Sequence, residues 1–339
     1  MLLKDLVIIN NEKISKNDKS FFCDNIDIKS IPEDLNKNFN TTIVARNSKI
    51  ERKHKINLEK INNLSNMFSF LFSIFKTFKK RHSTYLIISI TPYTFIAYVF
   101  LFLFRKKIFV YLRSNGYEEY KEISRFYGPL IYHLMFKAVT FKSNIIFCQE
   151  RLFTKRKSEI VFPSEINSLW LNDIQKPFLD KPKLLYIGRL KIEKGIFSLL
   201  KIFEGMPEDI HLSIVGKKEK EILFNKNINY IGYGYEPSDL IKIYDKHNIF
   251  ILPSFTEAHP KVIVESLARE RPVIIFEEIK HVIQNREGIF VSKRNAKSLE
   301  ETIYFIIKNY AKIQERMRKN KLPTKEEFIL RMTNILSSN

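Results

Sequence analysis

Residues 249–276 read IFILPSFTEAHPKVIVESLARERPVIIF. An unbroken apolar run, Ile249–Leu252, leads into a short loop. Pro260 then opens a stretch in which Val262, Ile263, Val264 and Leu267 surround Glu265, and a second apolar run, Val273–Phe276, follows Pro272. Short apolar runs bounded by proline suit strands buried on both faces, and proline suits the first position of a helix. Strand, helix, strand is the repeating unit of a parallel sheet, so this stretch predicts an α/β fold.

The same rhythm extends in both directions. Strands are predicted at Lys183–Ile187, His211–Val215, Asn229–Ile231 and Gly288–Val291, with helices at about 195–204, 237–246 and 260–269. Upstream, the spacing predicts strands at Leu6–Ile9, Thr42–Ala45, Leu86–Ile90, Ile108–Leu112 and Asn144–Phe147, with helices over about 61–80, 93–104 and 118–140. Ser298 with Glu301, and Thr324 with Glu327, have capping-box spacing and are expected to open two terminal helices. QKPFLDKP, 175–182, has two prolines and no periodicity and reads as a linker. The expected organisation is an N-terminal Rossmann-like domain over 1–174 and a second over 183–320. A helix at 321–339 is a candidate to pack back on the first domain, and a cleft is expected between the two parallel-sheet domains.

The chain has 339 residues, 45% hydrophobic and 28% charged, enough for two ordinary cores. Its 29 Phe and 15 Tyr exclude a disordered chain. Two cysteines, Cys23 and Cys148, exclude a disulfide framework and fit a reducing compartment. The N-terminus lacks the architecture of a cleavable signal, because charge and Asn interrupt its apolar run.

The formal charge of +20 implies an anionic partner. It is unevenly spread: between Glu59 and Glu118 there is no acidic residue, yet Lys60, Lys76, Lys79, Lys80, Arg81, Arg105, Lys106, Lys107 and Arg113 all fall there. That window is also the most apolar in the chain, and basic with apolar points to an anionic membrane surface more than to nucleic acid. Leu64, Phe68, Leu71, Phe75 and Phe78 step by 4, 3, 4 and 3, one face of a helix. That face suits either a core or a membrane interface. Tyr85–Phe104 carries no charge, but Pro92 divides it into strand, turn and helix, which favours a buried βαβ unit over a membrane span.

Several chemistries are excluded by their motifs. There is no G-x-x-x-x-G-K-S/T, H-E-x-x-H, G-x-S-x-G or C-x-x-C, no D-x-D to hold a metal on a diphosphate, and no histidine pair at metal-ligand spacing. What remains is basic and acidic groups at strand ends. Arg189 and Lys194 lie in YIGRLKIEKG on the loop after the first strand of the second domain, where open α/β sheets bind ligands. Alone, they also suit solvated loop charges. Glu257 and Glu265 are eight apart on the loop and helix of the opening stretch, and a carboxylate on so apolar a helix needs a partner. The helix after Pro260 would aim free N–H groups at an anion.

At these residues the chain resembles the retaining nucleotide-sugar glycosyltransferases of family 4, the group 1 glycosyl transferases, which have the GT-B fold. KLLYIGRLKIEKG, INYIGYG, FILPSFTEAHPKVIVESLARERPVI and EGIFVS match, in order and spacing, the family's GR…KG, G-x-V/Y, PS…E-x-x-P-x-x-x-x-E and G-x-x-V elements. The resemblance implies that Arg189 and Lys194 bind the donor diphosphate, that Glu265 holds the ribose hydroxyls, and that Glu257 contacts the donor sugar. It further implies that Gly188, Gly232, Tyr233, Ala258, His259, Pro260, Lys261 and Val262 line the donor site. No metal or other cofactor is implied, and Glu257, Arg189 and Lys194 are the implied catalytic groups. Ala258 and His259 replace the family's usual Gly and Phe. YLRSNG replaces its acceptor-side histidine, leaving Arg113, Ser114 and Asn115 as acceptor-side candidates.

The expected activity is transfer of a sugar from a nucleotide-diphosphate donor to a glycan or lipid-linked acceptor in cell-surface polysaccharide or glycolipid synthesis. The expected setting is the cytoplasmic face of an anionic membrane, peripherally, with no nucleic-acid partner. A hydrolase or epimerase of the same fold is disfavoured by the pattern around Glu257 and Glu265. A basic nucleic-acid-binding protein is disfavoured because the basic excess sits beside apolar helix.

Overall fold

The structure, a computed structural model, describes residues 3–79, 83–113, 116–148, 158–218, 225–257 and 259–338. Lys80, Arg81, Ser114, Asn115 and Ala258 lie outside the described residues. The chain divides into two units, one of Met1–Phe162 with Glu327–Asn339, the other of Pro163–Glu326. Both are Rossmann-like α/β units built on mostly parallel sheets.

The first unit contains β1 (Asp5–Asn17), β2 (Ser20–Cys23), α1 (Ile26–Leu35), β3 (Asn40–Asn47), β4 (His54–Ile56), β5 (Ile61–Leu64) and α2 (Met67–Lys76). It continues through β6 (Thr84–Ile88), α3 (Pro92–Leu103), β7 (Lys107–Leu112), α4 (Gly116–Ile123), α5 (Tyr127–Lys142), β8 (Asn144–Phe147) and β9 (Ser158–Ile160). The parallel strands run β5-β3-β1-β6-β7-β8-β9, and β2 with β4 extends the far end of β1 antiparallel. Alternate residues of the central strands feed two cores, as the pleat requires. Tyr85, Ile87 and Val110 meet Phe70, Ala97, Leu101 and Val139 of α2, α3 and α5. On the opposite side, Leu86, Ile88 and Phe109 meet Ile31 and Leu35 of α1.

The second unit contains α6 (Ser168–Leu171), β10 (Lys183–Ile187), α7 (Ile196–Phe203), β11 (His211–Val215), β12 (Ile228–Gly232), α8 (Pro237–Asp245), β13 (Ile249–Leu252) and α9 (Lys261–Ala268). After these come β14 (Val273–Phe276), β15 (Ile289–Ser292), α10 (Ala296–Lys308) and α11 (Tyr310–Met317); α12 (Lys325–Ser337) follows and from Glu327 belongs to the first unit. Its strands run β12-β11-β10-β13-β14-β15, all parallel. That is the doubly wound order, in which direction reverses between β10 and β13. The last helix, α12, puts Phe328, Met332 and Leu336 into the first unit's core beside α1.

The QKPFLDKP stretch has neither helix nor strand and belongs to the second unit. Asn248 Nδ2 donates to the carbonyls of Phe178 and Lys181 at 2.9 and 2.7 Å, and Arg271 Nη2 donates to Gln175 at 2.7 Å. Arg269 and Arg271, each 1% exposed, also bond Asp245 and the carbonyls of Trp170 and Asn172. Buried guanidiniums so paired fasten the segment to the domain.

Several expectations are corrected. The first strand, expected at Leu6–Ile9, is longer: β1 continues to Asn17, with its register to β3 shifting between Ile9 and Lys13, and returns through Asp18 (φ 50°) into β2. The helix expected over 61–80 is a strand, Ile61–Leu64, paired with β3, then α2 alone, because Asn66 caps the helix by accepting from Ser69 N at 2.8 Å. Of the two readings left open for the stripe, the core one does not hold for Phe68 and Phe75, which are exposed, whereas Phe70 and Ile74 are buried. The stretch 118–140 is two helices, with Pro129 in the first turn of the second. The helix expected to open at Ser298 opens at Ala296, capped by Asn295.

Candidate functional site

The switch point between β10 and β13 brings two loops together. After β10 come Gly188 and Arg189, then a 3-10 turn, Ile192–Lys194, and Gly195 at φ 66°, which starts α7. A Cβ on Gly195 would lie 1.8 Å from the Pro253 carbonyl oxygen of the loop after β13. Glycine is required there both for its left-handed backbone and for that close approach. Phe255 N donates to Glu193 O at 3.0 Å, which clips the two loops together.

This approach places Lys194 on Glu257. Lys194 Nζ donates to Glu257 Oε1 at 2.6 Å, and Ser254 Oγ donates to the same oxygen at 2.7 Å. Both charged side chains are mostly enclosed, 21% and 11% exposed, so the pair is a strong charge-assisted contact. His281, from a 3-10 segment after β14, has Nε2 2.8 Å from the Glu257 carbonyl oxygen. Arg294, just beyond β15, donates to Pro253 O at 3.0 Å and pairs with Glu278 at 2.7 Å. Its guanidinium also lies over the Phe255 ring at 4.1 Å. The motif reading missed Ser254, His281 and Arg294 as site supports. Arg294 carried a signal, a cation just past the end of a strand, but His281 carried none.

Arg189 is placed differently from Lys194. Its guanidinium is 64% exposed and 3.9 Å from Glu193, a turn away on the same loop. The described contacts do not bring it to Glu257. It remains a solvated cation at the mouth of the loop.

Glu265 falls in the second turn of α9, with Tyr244 of α8 donating to its Oε2 at 3.0 Å. Burial pushes its carboxyl up to about 7, against the opposing effects of the Tyr244 hydrogen bond and the charge of Lys261. Lys261 in turn lies 3.4 Å from Glu165. Pro260 is the N-cap of α9, and no side chain caps the helix there. The positive end of the α9 dipole, at Lys261 and Val262, is therefore not offset by a capping side chain. His259 is held neutral, its imidazole lowered to about 4 chiefly by burial and further by Arg286 and Lys261.

At the other edge of the switch point, Gly216 N donates to Gly232 O at 2.8 Å. Gly232 has φ 129°, and Tyr233 beyond it is 44% exposed. Gly188 approaches so closely that a Cβ would lie 2.7 Å from the Tyr186 hydroxyl.

In the first unit, Arg113 follows β7. Its Nη1 bonds Asp27 at 3.0 Å, and Glu12 lies 3.8 Å from Nη2. Cys148 Sγ donates to its carbonyl at 2.9 Å, and burial pushes that thiol up to about 12. Among the described residues, no group of three His, Cys, Asp or Glu side chains gathers as a metal site.

Residues 171–322 match the family described as Glycosyl transferases group 1. That stretch, somewhat under half of the chain, is similar to a group 1 glycosyl transferase domain. A Bacillus subtilis protein named for teichuronic acid biosynthesis, TuaC, is 30% identical over 129 residues, 37% of this chain and 33% of its own. The capsular polysaccharide biosynthesis glycosyltransferase CapM of Staphylococcus aureus is 29% identical over 136 residues, 36% of each chain. The chain thus spans about a third of the length of these curated relatives. The fold is shared over its whole length with Anabaena HepE, solved in complex with UDP-glucose. That likeness has a TM-score of 0.73 at 10% identity and covers 98% of this chain and 100% of HepE. The chain has the GT-B fold.

Proposed function

We propose that the protein is a retaining glycosyltransferase that moves a sugar from a nucleotide-diphosphate-sugar to a glycan or lipid-linked acceptor, in cell-surface polysaccharide or glycolipid synthesis. The observation that carries this reading is the Lys194–Glu257–Ser254 contact at the switch point of a group 1 domain, with Glu265 on the next helix. HepE binds UDP-glucose on the same fold, which supports a nucleotide-sugar donor here.

In this reading Lys194 and Arg189 meet the diphosphate, together with the positive end of the α9 dipole. Glu265 takes the ribose hydroxyls, Glu257 a hydroxyl of the sugar, and the Gly232–Tyr233 loop lies beside the base. Departure of the sugar builds negative charge on the diphosphate. Fixed cations and helix-end amides stabilise that charge without reorganising, which is where such sites gain most of their rate. No resident metal is required, so a chelator should leave turnover unchanged. Retention follows from departure and attack on one face, with the leaving phosphate assisting, and needs no protein nucleophile. The reaction is placed at the cytoplasmic face of a membrane, with the protein associated peripherally; no helix among the described residues is long and apolar enough to cross one.

Thermal shift against a panel of nucleotide sugars tests the reading, because a ligand of the folded state raises stability by mass action. A shift with one donor, lost in Lys194→Ala and Glu265→Ala, is expected. No shift with any nucleotide sugar would refute it.

A further inference from the structure

The helix layer formed by α2, α3 and α5 buries only its inner side. Facing outward are Phe68 at 88% exposure, Leu103 at 70%, Phe141 at 67% and Leu134 at 62%, with Phe72 and Leu130 also above half. The three helices form one surface. Phe75 of α2 and Phe104 beyond α3 have ring centroids 6.0 Å apart, and Tyr98 of α3 donates to the Ala138 carbonyl of α5 at 3.0 Å. An apolar face of this extent on a folded unit marks an interaction site.

The charges on this face have one sign. None of α2, α3 and α5 contains Asp or Glu. Lys76 lies 4.6 Å from the Phe72 ring centroid, Lys106 lies 4.3 Å from that of Phe78, and Lys142 lies 5.8 Å from those of Phe102 and Phe141. Beside α2 runs a groove of about 830 Å³ in which Lys60, Lys76 and Lys79 stand among the hydroxyls of Ser69, Ser73 and Thr77. Asp5 and Glu59 are the acids among the groove's lining residues, and Glu118 and Glu119 belong to α4.

We propose that the outer face of α2, α3 and α5 is the surface by which the protein lies on an anionic lipid bilayer. Its Phe and Leu side chains enter the headgroup–acyl boundary, and its lysines meet lipid phosphates. A second copy of this chain would set lysine against lysine. Nucleic acid would have no use for the aliphatic stripe of α5. The assignment deepens the membrane part of the reading above and rests on it.

Co-sedimentation of the full chain with phosphatidylcholine vesicles, with and without about a third phosphatidylglycerol, tests it. Phe68→Ser, Phe72→Ser, Leu130→Ser and Leu134→Ser together change only exposed side chains. Partition onto anionic vesicles should fall about tenfold or more for this variant, and equally for wild type on neutral vesicles. Leu330→Ser, 61% exposed on α12, should bind as wild type does. Equal binding to both vesicle types, or unchanged binding of the fourfold variant, would overturn the proposal. So would a dimer in gel filtration that the fourfold variant dissociates, because a second copy would then occupy the face. Nucleotide-sugar thermal shifts on the same samples separate the two readings: a retained donor shift without vesicle binding refutes the docking face alone.

Discussion

Glu265→Gln is expected to stabilise the second unit above neutral pH while removing its response to donor. The Glu265 carboxyl is raised from an ordinary value near 4.5 to about 7, first by burial. Its folded-state value lies above its unfolded one, so the fold holds this proton more tightly than the unfolded chain does. The stabilisation is complete below about pH 4.5 and is lost as pH rises through about 7. A shift of that size corresponds to about 3 kcal/mol, the order of the cost of keeping the carboxylate ionised in the unliganded fold. Glutamine keeps an acceptor for the Tyr244 hydroxyl and removes the charge. The chain's single tryptophan supplies the assay: Trp170 is buried in the second unit, edge-on to Tyr244 at 5.7 Å. Urea unfolding followed by its fluorescence should show wild type and variant nearly equal at pH 4.5. The variant should then gain stability, up to about 3 kcal/mol, by pH 8. The donor-induced shift should disappear in the variant at every pH. A stability difference that does not change with pH would refute the burial argument, and a variant that still binds donor normally would refute the role of the carboxylate.

Lys194→Ala should lower kcat by about two orders of magnitude in steady-state transfer, the usual loss for one group that stabilises developing charge; a normal kcat would remove Lys194 from the chemistry. Gly195→Ala should cost about 2 kcal/mol or more in urea unfolding, since it strains a φ of 66° and drives a methyl against the Pro253 carbonyl. Asp245→Ala should cost about 3–5 kcal/mol by leaving two nearly buried guanidiniums without their carboxylate, and it should shift Trp170 emission to the red. An unchanged unfolding midpoint would show that the backbone carbonyls alone suffice for Arg269 and Arg271.

Strands such as Ile249–Leu252 and Val273–Phe276 were legible because burial on both faces leaves them no polar position. Glycine and charge at strand ends made the switch-point loops legible, and there the structure brings Lys194 onto Glu257. What was missed lacks a local signature. Ile61–Leu64 reads as the start of a helix until its pairing with β3 decides it, and the extension of β1 depends on pairing with β2 and with the end of β3 rather than on an apolar run of its own. The α2 stripe left core and interface open because one exposed face and one buried face are both aromatic, so spacing cannot tell Phe68 from Phe70. His281 acts through its contact with a backbone carbonyl, which no residue pattern announces.

Lys194 and Glu257 also constrain each other's roles. At 2.6 Å the ammonium's charge is already committed to a carboxylate that Ser254 shares. A diphosphate arriving at Lys194 must compete for, or share, that ammonium, and a sugar hydroxyl arriving at Glu257 would donate to the same carboxylate. Each half of the donor therefore compensates the partner that the other half disturbs, which favours a ligand carrying sugar and diphosphate together over either fragment alone. Arg189, solvated and only 3.9 Å from Glu193, has no such commitment and is suited to attract the diphosphate first. On the proposed reading the pair would discriminate for the intact nucleotide-sugar, and losses from Lys194→Ala and Glu257→Ala should be far from additive.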